Sequence, residues 1–380
     1  MNPLNDKDST REHLVNLTKE LIRFPSHCDE PLKVFDLINF IKEYFAKDRL
    51  NIAEHVLDGS PHLVITTEDT KHPHIMLSGH IDVVCSLSKF TAEIKGDKLY
   101  GSGAMDMKGG VACMMAIMKY FANQKERPSI GIMLTSDEET GGAGTYKLLE
   151  EEGYCTDFCI VNEGRSRYEI VTREKGFLAI KIKMKGEAIH SAYPWRGKNV
   201  LEELMRICLN IQSHFPKPKK GWVPTATITS VKGGKQVNTI PDEAEAIMSF
   251  RLTGTKKWNR EVVLEMIHSR AKGAEVQEMI WGEVFEVNPE NQYVQILHQA
   301  AKEVRQKRMS LAENNGASDA RFFMGKNIPT AILGPVGTDH HTVNEWVSIE
   351  SIVTHYEVLK RFIENERDFC AQEAEELELG

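Results

Sequence analysis

The sequence lacks any long apolar run. No stretch of about 18 apolar residues, the length that spans a bilayer, occurs among its 380 residues. Its first residues, MNPLNDKDSTREHL, also lack the basic segment and apolar core of a secretory signal. We therefore expect a cytoplasmic protein with no membrane partner. Its 41% apolar and 27% charged residues are typical of a soluble globular chain with a sizeable core.

Positive charge and cysteine are scarce as well. Lysine and arginine total 47 against 55 aspartates and glutamates, which gives a formal net charge of -8. Because such a chain has no basic field to attract phosphate backbones, we expect no nucleic-acid partner. The seven cysteines are odd in number and thinly spread, so we interpret them as mostly buried thiols rather than a disulfide framework.

Short apolar runs alternate with helical patterns in residues 1–175. Ser9 and Glu12 form a capping-box pattern, which predicts that a first helix begins near residue 10. Apolar runs at 75–77, 130–135 and 158–161 are separated by helical patterns near 109–122 and 145–152. This alternation predicts an α/β domain with a mostly parallel sheet, which places ligands beyond the carboxyl ends of its strands.

Residues 176–283 have a different pattern. Apolar residues alternate with other residues from Leu178 to Met184, which is typical of a half-buried antiparallel strand. Strand-like runs at 226–231 and 244–252 and helical patterns at 200–211 and 260–271 complete the segment. Because the first pattern resumes in residues 284–380, we predict an α+β domain inserted into the α/β domain.

Polar clusters stand at the ends of the predicted strands of the first domain. They are Gly79-His80-Ile81-Asp82, Asp106 in GSGAMDMKGG, Asp137-Glu138-Glu139, Glu163 in VNEG and His341 in HTVNE. A lone histidine at a strand end is usually structural, and acidic pairs usually lie in solvated loops. Two imidazoles combined with several carboxylates, however, indicate a metal site of the zinc type, which manganese or cobalt could also fill.

The spacing suggests different roles for these residues in the metal site. His80 and Asp82 lie two residues apart and share one face of a strand, so that the carboxylate can accept the unliganded ring N–H. Asp106, in a glycine-rich turn, is suited to bridging two cations. Of the neighbours Glu138 and Glu139, one can bind metal while the other faces the attacking water.

The ordered motifs resemble a known family. The segments GHIDVV, LYGSGAMDMKGG, TSDEETGG, AIHSAYPWRGKN, GGKQVNTIPDEA, GASDARFF and HTVNE, between about residues 10 and 365, are similar to the zinc aminoacylase/carboxypeptidase family. That family includes succinyl-diaminopimelate desuccinylase, acetylornithine deacetylase and glutamate carboxypeptidase. The resemblance implies a centre of two divalent cations, zinc first, and identifies residues 176–283 as a lid and dimerisation domain.

The resemblance also implies roles for individual residues. Asp106 bridges both cations, Glu138 is the general base and Asp82 supports a ligand. The remaining ligands are His80 and Glu163 on one cation and Glu139 and His341 on the other. His340 is a rival of His341, but the family places its histidine three residues before Asn-Glu, which selects His341.

Four further residues are implied to contact substrate. His190 corresponds to a histidine that reaches the scissile carbonyl, often from the partner subunit. Asn238 and Arg251 match positions that bind polar or carboxylate groups, although a turn asparagine and an ordinary strand arginine are the alternatives. Ser318 lies in a segment similar to the family's substrate-binding loop; alternatively it caps the helix that follows.

The sequence departs from the family in one loop. Cys85 replaces a usual proline, and the segment Ser86 to Thr91 is short. Since that loop borders the cleft in relatives, the substrate is left open.

We therefore expect a homodimeric metal-dependent hydrolase that cleaves an amide bond next to an amino-acid carboxylate. An N-acyl-amino-acid deacylase is the first interpretation and a di- or carboxypeptidase the second, so that the partner is a small N-acyl amino acid or a short peptide. A non-catalytic regulatory descendant is the alternative of another class, although ligands and base are all present. GSGAMDMKGG matches neither GxGxxG nor GxxxxGK[ST], which argues against a nucleotide site.

Overall fold

The computed structural model describes residue 4 and residues 6–27, 30–84, 89–219 and 221–379. Cys85 and residues 86–88 of the short loop lie outside the described residues. The chain divides into two compact units. The first comprises Met1–Thr172, Val287–Ala312 and Phe322–Gly380, and the second comprises Arg173–Glu286 and Glu313–Arg321. The domain limits drawn from the sequence, 175/176 and 283/284, stay predictions.

The helices and strands are numbered in chain order. The helices are α1 Lys7–Arg23, α2 Pro31–Tyr44, α3 Gly109–Ala122, α4 Ala143–Glu150, α5 Val200–Ser213, α6 Arg260–Arg270, α7 Gln292–Arg305, α8 Ala320–Gly325 and α9 Ile349–Leu379. The strands are β1 Asn51–Leu57, β2 Ser60–Thr66, β3 Ile75–His80, β4 Glu93–Lys95, β5 Lys98–Tyr100, β6 Ile130–Thr135, β7 Phe158–Val161, β8 Ile170–Glu174, β9 Gly176–Lys185, β10 Ile189–His190, β11 Thr225–Gly233, β12 Thr239–Ile240, β13 Glu243–Leu252, β14 Glu275–Gly282, β15 Phe285–Glu286, β16 Leu311–Asn314, β17 Thr330–Ile332, β18 Gly337–Thr338 and β19 Trp346–Ser348.

A mostly parallel sheet forms the centre of the first unit. Its strands follow the order β1-β2-β6-β3-β7-β17-β8. The inner strands β6, β3, β7 and β17 run parallel, while β1, β2 and β8 pair antiparallel to their neighbours. Ile75 is paired with both Ile130 and Phe158, so β3, β6 and β7 are in register. The loops that follow these strands therefore leave from one edge of the sheet.

The apolar pattern explains why these elements are buried. All residues of β3, β6 and β7 are buried, as expected for parallel strands covered on both faces. Helix α1 buries Leu14, Leu17 and Leu21 on one face. It begins at Lys7, because the side chain of Asp6 caps it by accepting a hydrogen bond from the backbone N–H of Ser9. The start near residue 10, predicted from a capping box, was therefore wrong by about one turn.

A smaller sheet in the same unit joins distant parts of the chain. It has the order β18-β19-β5-β4, and Trp346 is paired with Tyr100. This pairing holds the segments that follow β5 and precede β19 side by side.

The second unit is α+β, as the sequence predicted. Its antiparallel sheet has the order β11-β13-β9-β14, with Leu178 opposite Phe250. Apolar side chains of β9 and β13 form a common core with residues of α5 and α6, among them Leu204 and Ile267. The period-two pattern of β9 therefore marks a sheet with one face packed under helices. Across the described part of both units, no helix has the length and apolarity to cross a membrane.

Candidate metal centre

Three predicted ligands meet at the carboxyl edge of the parallel sheet. His80 is the last residue of β3, Asp106 lies in the turn Ala104–Lys108 before α3, where its backbone is not helical, and Glu139 lies in a 3-10 turn, Glu138–Thr140, after β6. One donor atom from each of these residues lies within 4.8 Å of the other two. The neighbouring ends of β3 and β6 thus bring His80 and Glu139 together, and the turn before α3 brings Asp106 to them.

His80 is held between two aspartates. Its Nε2 lies 3.0 Å from Asp106 Oδ1, and its Nδ1 lies 3.1 Å from the backbone oxygen of Asp82 and 3.4 Å from Asp82 Oδ1. Asp82 is fully buried, and its Oδ2 accepts a hydrogen bond of 3.0 Å from the backbone N–H of Glu139. Asp82 thus orients both the imidazole and the turn that carries the acidic pair.

His341 closes the group from the other end of the chain. Its Nε2 lies 3.0 Å from Glu139 Oε1 and 3.4 Å from Asp106 Oδ2. Asp106 therefore contacts one imidazole with each carboxylate oxygen, the arrangement that a bridging ligand requires. The ring of the neighbouring His340 stands at 79° to that of His341, with the centroids 5.1 Å apart.

The protonation of the group reflects this crowding. Burial works to lower the pKa of His80, but its contacts with the Asp106 and Asp82 carboxylates outweigh it and raise that pKa well above its usual value. Hydrogen bonds to Asp106 and Glu139 raise the pKa of His341 to about 10. Burial opposes ionisation of Asp106, yet contacts with His341 and His80 hold its pKa below the usual range. In the metal-free protein, protons on the two imidazoles thus balance the charge of the carboxylates, as a bound cation would.

The donor set fits divalent cations. Imidazole nitrogen and carboxylate oxygen are ligands of zinc, manganese and cobalt. Asp82 Oδ1 is buried and makes no hydrogen bond to any residue that the structure describes, although it lies 3.4 Å from His80 Nδ1. A neutral His80 that donates its Nδ1 proton to Asp82 would present the lone pair of Nε2 to a metal, with Asp82 in the supporting role that histidine ligands usually require.

Two predicted residues of the centre lie on segments next to those of this group. Glu138 precedes Glu139 in the 3-10 turn, and Glu163 follows β7, whose Val161 is paired with Ser78 of β3. Neither belongs to the three-residue group. The roles of Glu138 as base and of Glu163 as ligand stay predictions.

The predicted substrate residues lie in the second unit. His190 is paired with Thr239 between β10 and β12, and the backbone N–H of Ser191 donates to the oxygen of Asn238 at 2.8 Å. This pairing brings His190 and Asn238 together. The guanidinium of Arg251 lies 4.3 Å from the ring centre of Phe177.

Ser318 has a partner inside the second unit. Its hydroxyl donates a hydrogen bond of 2.6 Å to Glu174 Oε2, and the residue is only 1% exposed. Its side chain thus supports the fold of its loop, and substrate binding by Ser318, as by the other three residues, stays a prediction.

The sequence reasoning missed Glu345. This buried carboxylate accepts hydrogen bonds from the backbone N–H groups of Gly103, Met105 and Asp106, at 2.7, 2.9 and 2.9 Å. Burial raises the pKa of Glu345 to about 7, against the effect of these bonds. The signal was present in the sequence: a glycine-rich turn has free N–H groups that need an acceptor, and the glutamate of HTVNE directly precedes an apolar strand.

Comparisons with known proteins agree with this geometry. The model of "Peptidase family M20/M25/M40" matches residues 76–365. A succinyl-diaminopimelate desuccinylase of Gluconacetobacter diazotrophicus is 30% identical over 317 residues, which are 77% of this chain and 81% of the relative.

Solved structures show the same fold at low identity. A dipeptidase from Saccharomyces cerevisiae has a TM-score of 0.78 at 14% identity, covering 96% of this chain and 98% of the dipeptidase. A peptidase from Bacillus subtilis, described as dinuclear metal binding and of the M20 family, has a TM-score of 0.69 at 15% identity, covering 94% and 98%. Together with the gathered ligands, these findings support the use of divalent metal.

Proposed function

The chain belongs to peptidase family M20/M25/M40, and from this membership we propose its function. As a metal-dependent hydrolase of that family, it cleaves an amide bond next to an amino-acid carboxylate. Its substrate is an N-acyl amino acid, cleaved as a desuccinylase or deacetylase would cleave it. The desuccinylase that is 30% identical over most of both chains supports this choice.

The observation that carries the proposal is the continuous contact from His80 through Asp106 to His341 and Glu139. Two cations, zinc first, would be held by these four residues and Glu163. When bound, they supply Lewis acidity that lowers the pKa of a water molecule and polarises the scissile carbonyl.

The protein's own groups then move the protons. Glu138, in the same turn as the ligand Glu139, takes a proton from the attacking water and later delivers it to the leaving amine. His190 donates a hydrogen bond to the carbonyl oxygen as charge develops on it. No covalent intermediate with the enzyme is required.

The second unit supplies the substrate contacts in this proposal. Asn238, which lies beside His190, and Arg251 bind the polar and carboxylate groups of the substrate, and the loop of Ser318 helps to hold it. The working form is a homodimer in which His190 serves the cleft of the partner subunit. The cytoplasm is the proposed location.

A di- or carboxypeptidase is the second candidate. The fold shared with a dipeptidase favours it. In this proposal the two activities differ in the lining of the substrate pocket rather than in the metal ligands. A non-catalytic descendant is disfavoured, since it would have no reason to retain both the ligand cluster and the adjacent Glu138.

A substrate panel tests the proposal. Purified protein is assayed with N-succinyl and N-acetyl amino acids and with dipeptides, each with zinc, cobalt or manganese, while elemental analysis counts bound metal. We expect up to two cations per chain, loss of activity with chelator and highest turnover on an N-acyl amino acid. Turnover on dipeptides alone would select the second candidate. Protein without bound metal, and with activity that chelators leave unchanged, would overturn the mechanism.

A further inference from the structure

Glu345 joins the two segments that carry Asp106 and His341. Its side chain receives three N–H groups from residues 103–106, and its backbone oxygen accepts a further hydrogen bond of 3.1 Å from Gly101 N–H. The next residue, Trp346, is paired with Tyr100. His341 lies only four positions before Glu345, so this one residue ties both ligand segments together.

The turn that carries Asp106 depends on this carboxylate. Backbone N–H groups that are buried away from water need an acceptor, and a carboxylate that serves several of them makes strong, charge-assisted bonds. One of the three donors is the N–H of Asp106 itself, so the bond fixes the backbone from which the bridging side chain extends.

The turn also has little room to adopt another shape. Gly103 has a φ of 76°, and a Cβ added there would stand 2.7 Å from Val83 Cγ1. Side chains are thus excluded where the Glu345 carboxylate approaches the turn. If the Glu345 carboxylate were displaced, the three buried N–H groups would lose their acceptor and would not gain another.

We propose that Glu345 is a positioning residue of the metal centre: by binding the N–H groups of the Asp106 turn, it holds the Asp106 carboxylate at the place where it bridges toward His341. This inference deepens the proposed function and rests on its metal centre. Glu345 contacts neither metal nor substrate and acts through Asp106.

The test is the metal affinity of Glu345→Gln, which keeps the shape of the side chain but sets an NH₂ group against a backbone N–H. Zinc affinity is measured by competition with a chromophoric chelator, without substrate. We expect it to fall about 10- to 100-fold, the usual cost of losing a partner behind a ligand. The activity that remains should rise with added zinc, so that the zinc concentration for half-maximal activity shifts by the same factor while KM at saturating zinc stays unchanged.

Glu350→Gln is the matched control. Glu350 lies five positions further along, and its exposed side chain pairs with Arg11 at 3.1 Å. This variant should bind zinc like the wild type. If Glu345→Gln does not fold, Glu345→Asp replaces it, because it keeps the charge but withdraws the carboxylate by one methylene.

The outcomes separate this inference from the proposed function. A folded Glu345 variant with a lower melting temperature but wild-type zinc affinity would show a purely structural role and overturn the inference. If the wild type hydrolyses no amide but the Glu345→Gln variant binds zinc more weakly than the wild type, the proposed function is refuted and the positioning role stands.

Discussion

Metal binding at neutral pH should release protons from His80 and His341. Contacts with Asp106 and Glu139 raise the pKa of His341 to about 10 in the metal-free protein. At pH 7 only roughly one molecule in a thousand then has this imidazole neutral. Contacts with Asp106 and Asp82 also raise the pKa of His80 well above its usual value, which favours its charged form. Each imidazole must lose its proton before its nitrogen can bind a cation.

The structure therefore sets both the size and the sign of the effect. His341 alone gives about one proton per loaded centre, so the apparent affinity should rise about 10-fold per pH unit between pH 6 and 8, and the raised pKa of His80 makes this rise steeper. The affinity rises with pH because protons and cations compete for the same nitrogens. The side chain of His341 is 47% exposed, so water screens its contacts, but the proton count requires only that its pKa exceed the pH of the assay.

Calorimetry in buffers of different ionisation enthalpy measures the protons released as zinc binds. His341→Asn should release about one proton fewer than the wild type, and the matched control His340→Asn should release the wild-type number. The difference in proton release between the wild type and His341→Asn therefore reports the proton of His341 and not a proton lost by a water molecule at the centre. Equal release by all three proteins, or an affinity that does not change with pH, would refute the reasoning and the choice of His341 over His340.

Three further changes test the roles of other residues. Glu138→Gln should keep its metal but lose about 10²-fold or more of its turnover, whereas Glu139→Gln should also bind metal more weakly; metal loss by the first variant alone would reverse the two roles. Co-expressed Glu138→Ala and His190→Ala chains should regain about a quarter of wild-type activity, because random pairing gives one intact site in half of the dimers; inactive mixed dimers, confirmed by differential tagging, would contradict a shared site. Gly110→Ala should lower the free energy of unfolding by about 1–3 kcal/mol, because its Cβ would stand 2.2 Å from a backbone oxygen, and Gly325→Ala, with no atom within 4 Å, is the control in chemical denaturation.

The sequence was sufficient for the fold class and for most of the ligand cluster. Strands β3, β6 and β7 are recognisable as short apolar runs because both of their faces are buried, and this pattern is local. Once the strands are parallel, the residues that follow them share one edge of the sheet. His80 and the pair Glu138-Glu139 could therefore be predicted as neighbours before any coordinates were known, whereas Asp106 lies before α3 and its place, like the choice of Glu139, came from the family resemblance.

Other features required the tertiary structure. The segment Glu313–Arg321 belongs to the second unit although it lies beyond the inserted segment, because Ser318 and Asn314 donate hydrogen bonds to Glu174. No local pattern marks a contact across so much intervening chain.

Glu345 shows the same limit at the metal centre. Its partner Gly103 lies 242 positions away, and the choice of this carboxylate follows from the pairing of β5 with β19. Sequence periodicity reports which side of an element is buried, because burial repeats with the period of the backbone. Which buried acceptor meets which buried donor depends on how distant elements pack, and that is decided only when the chain has folded.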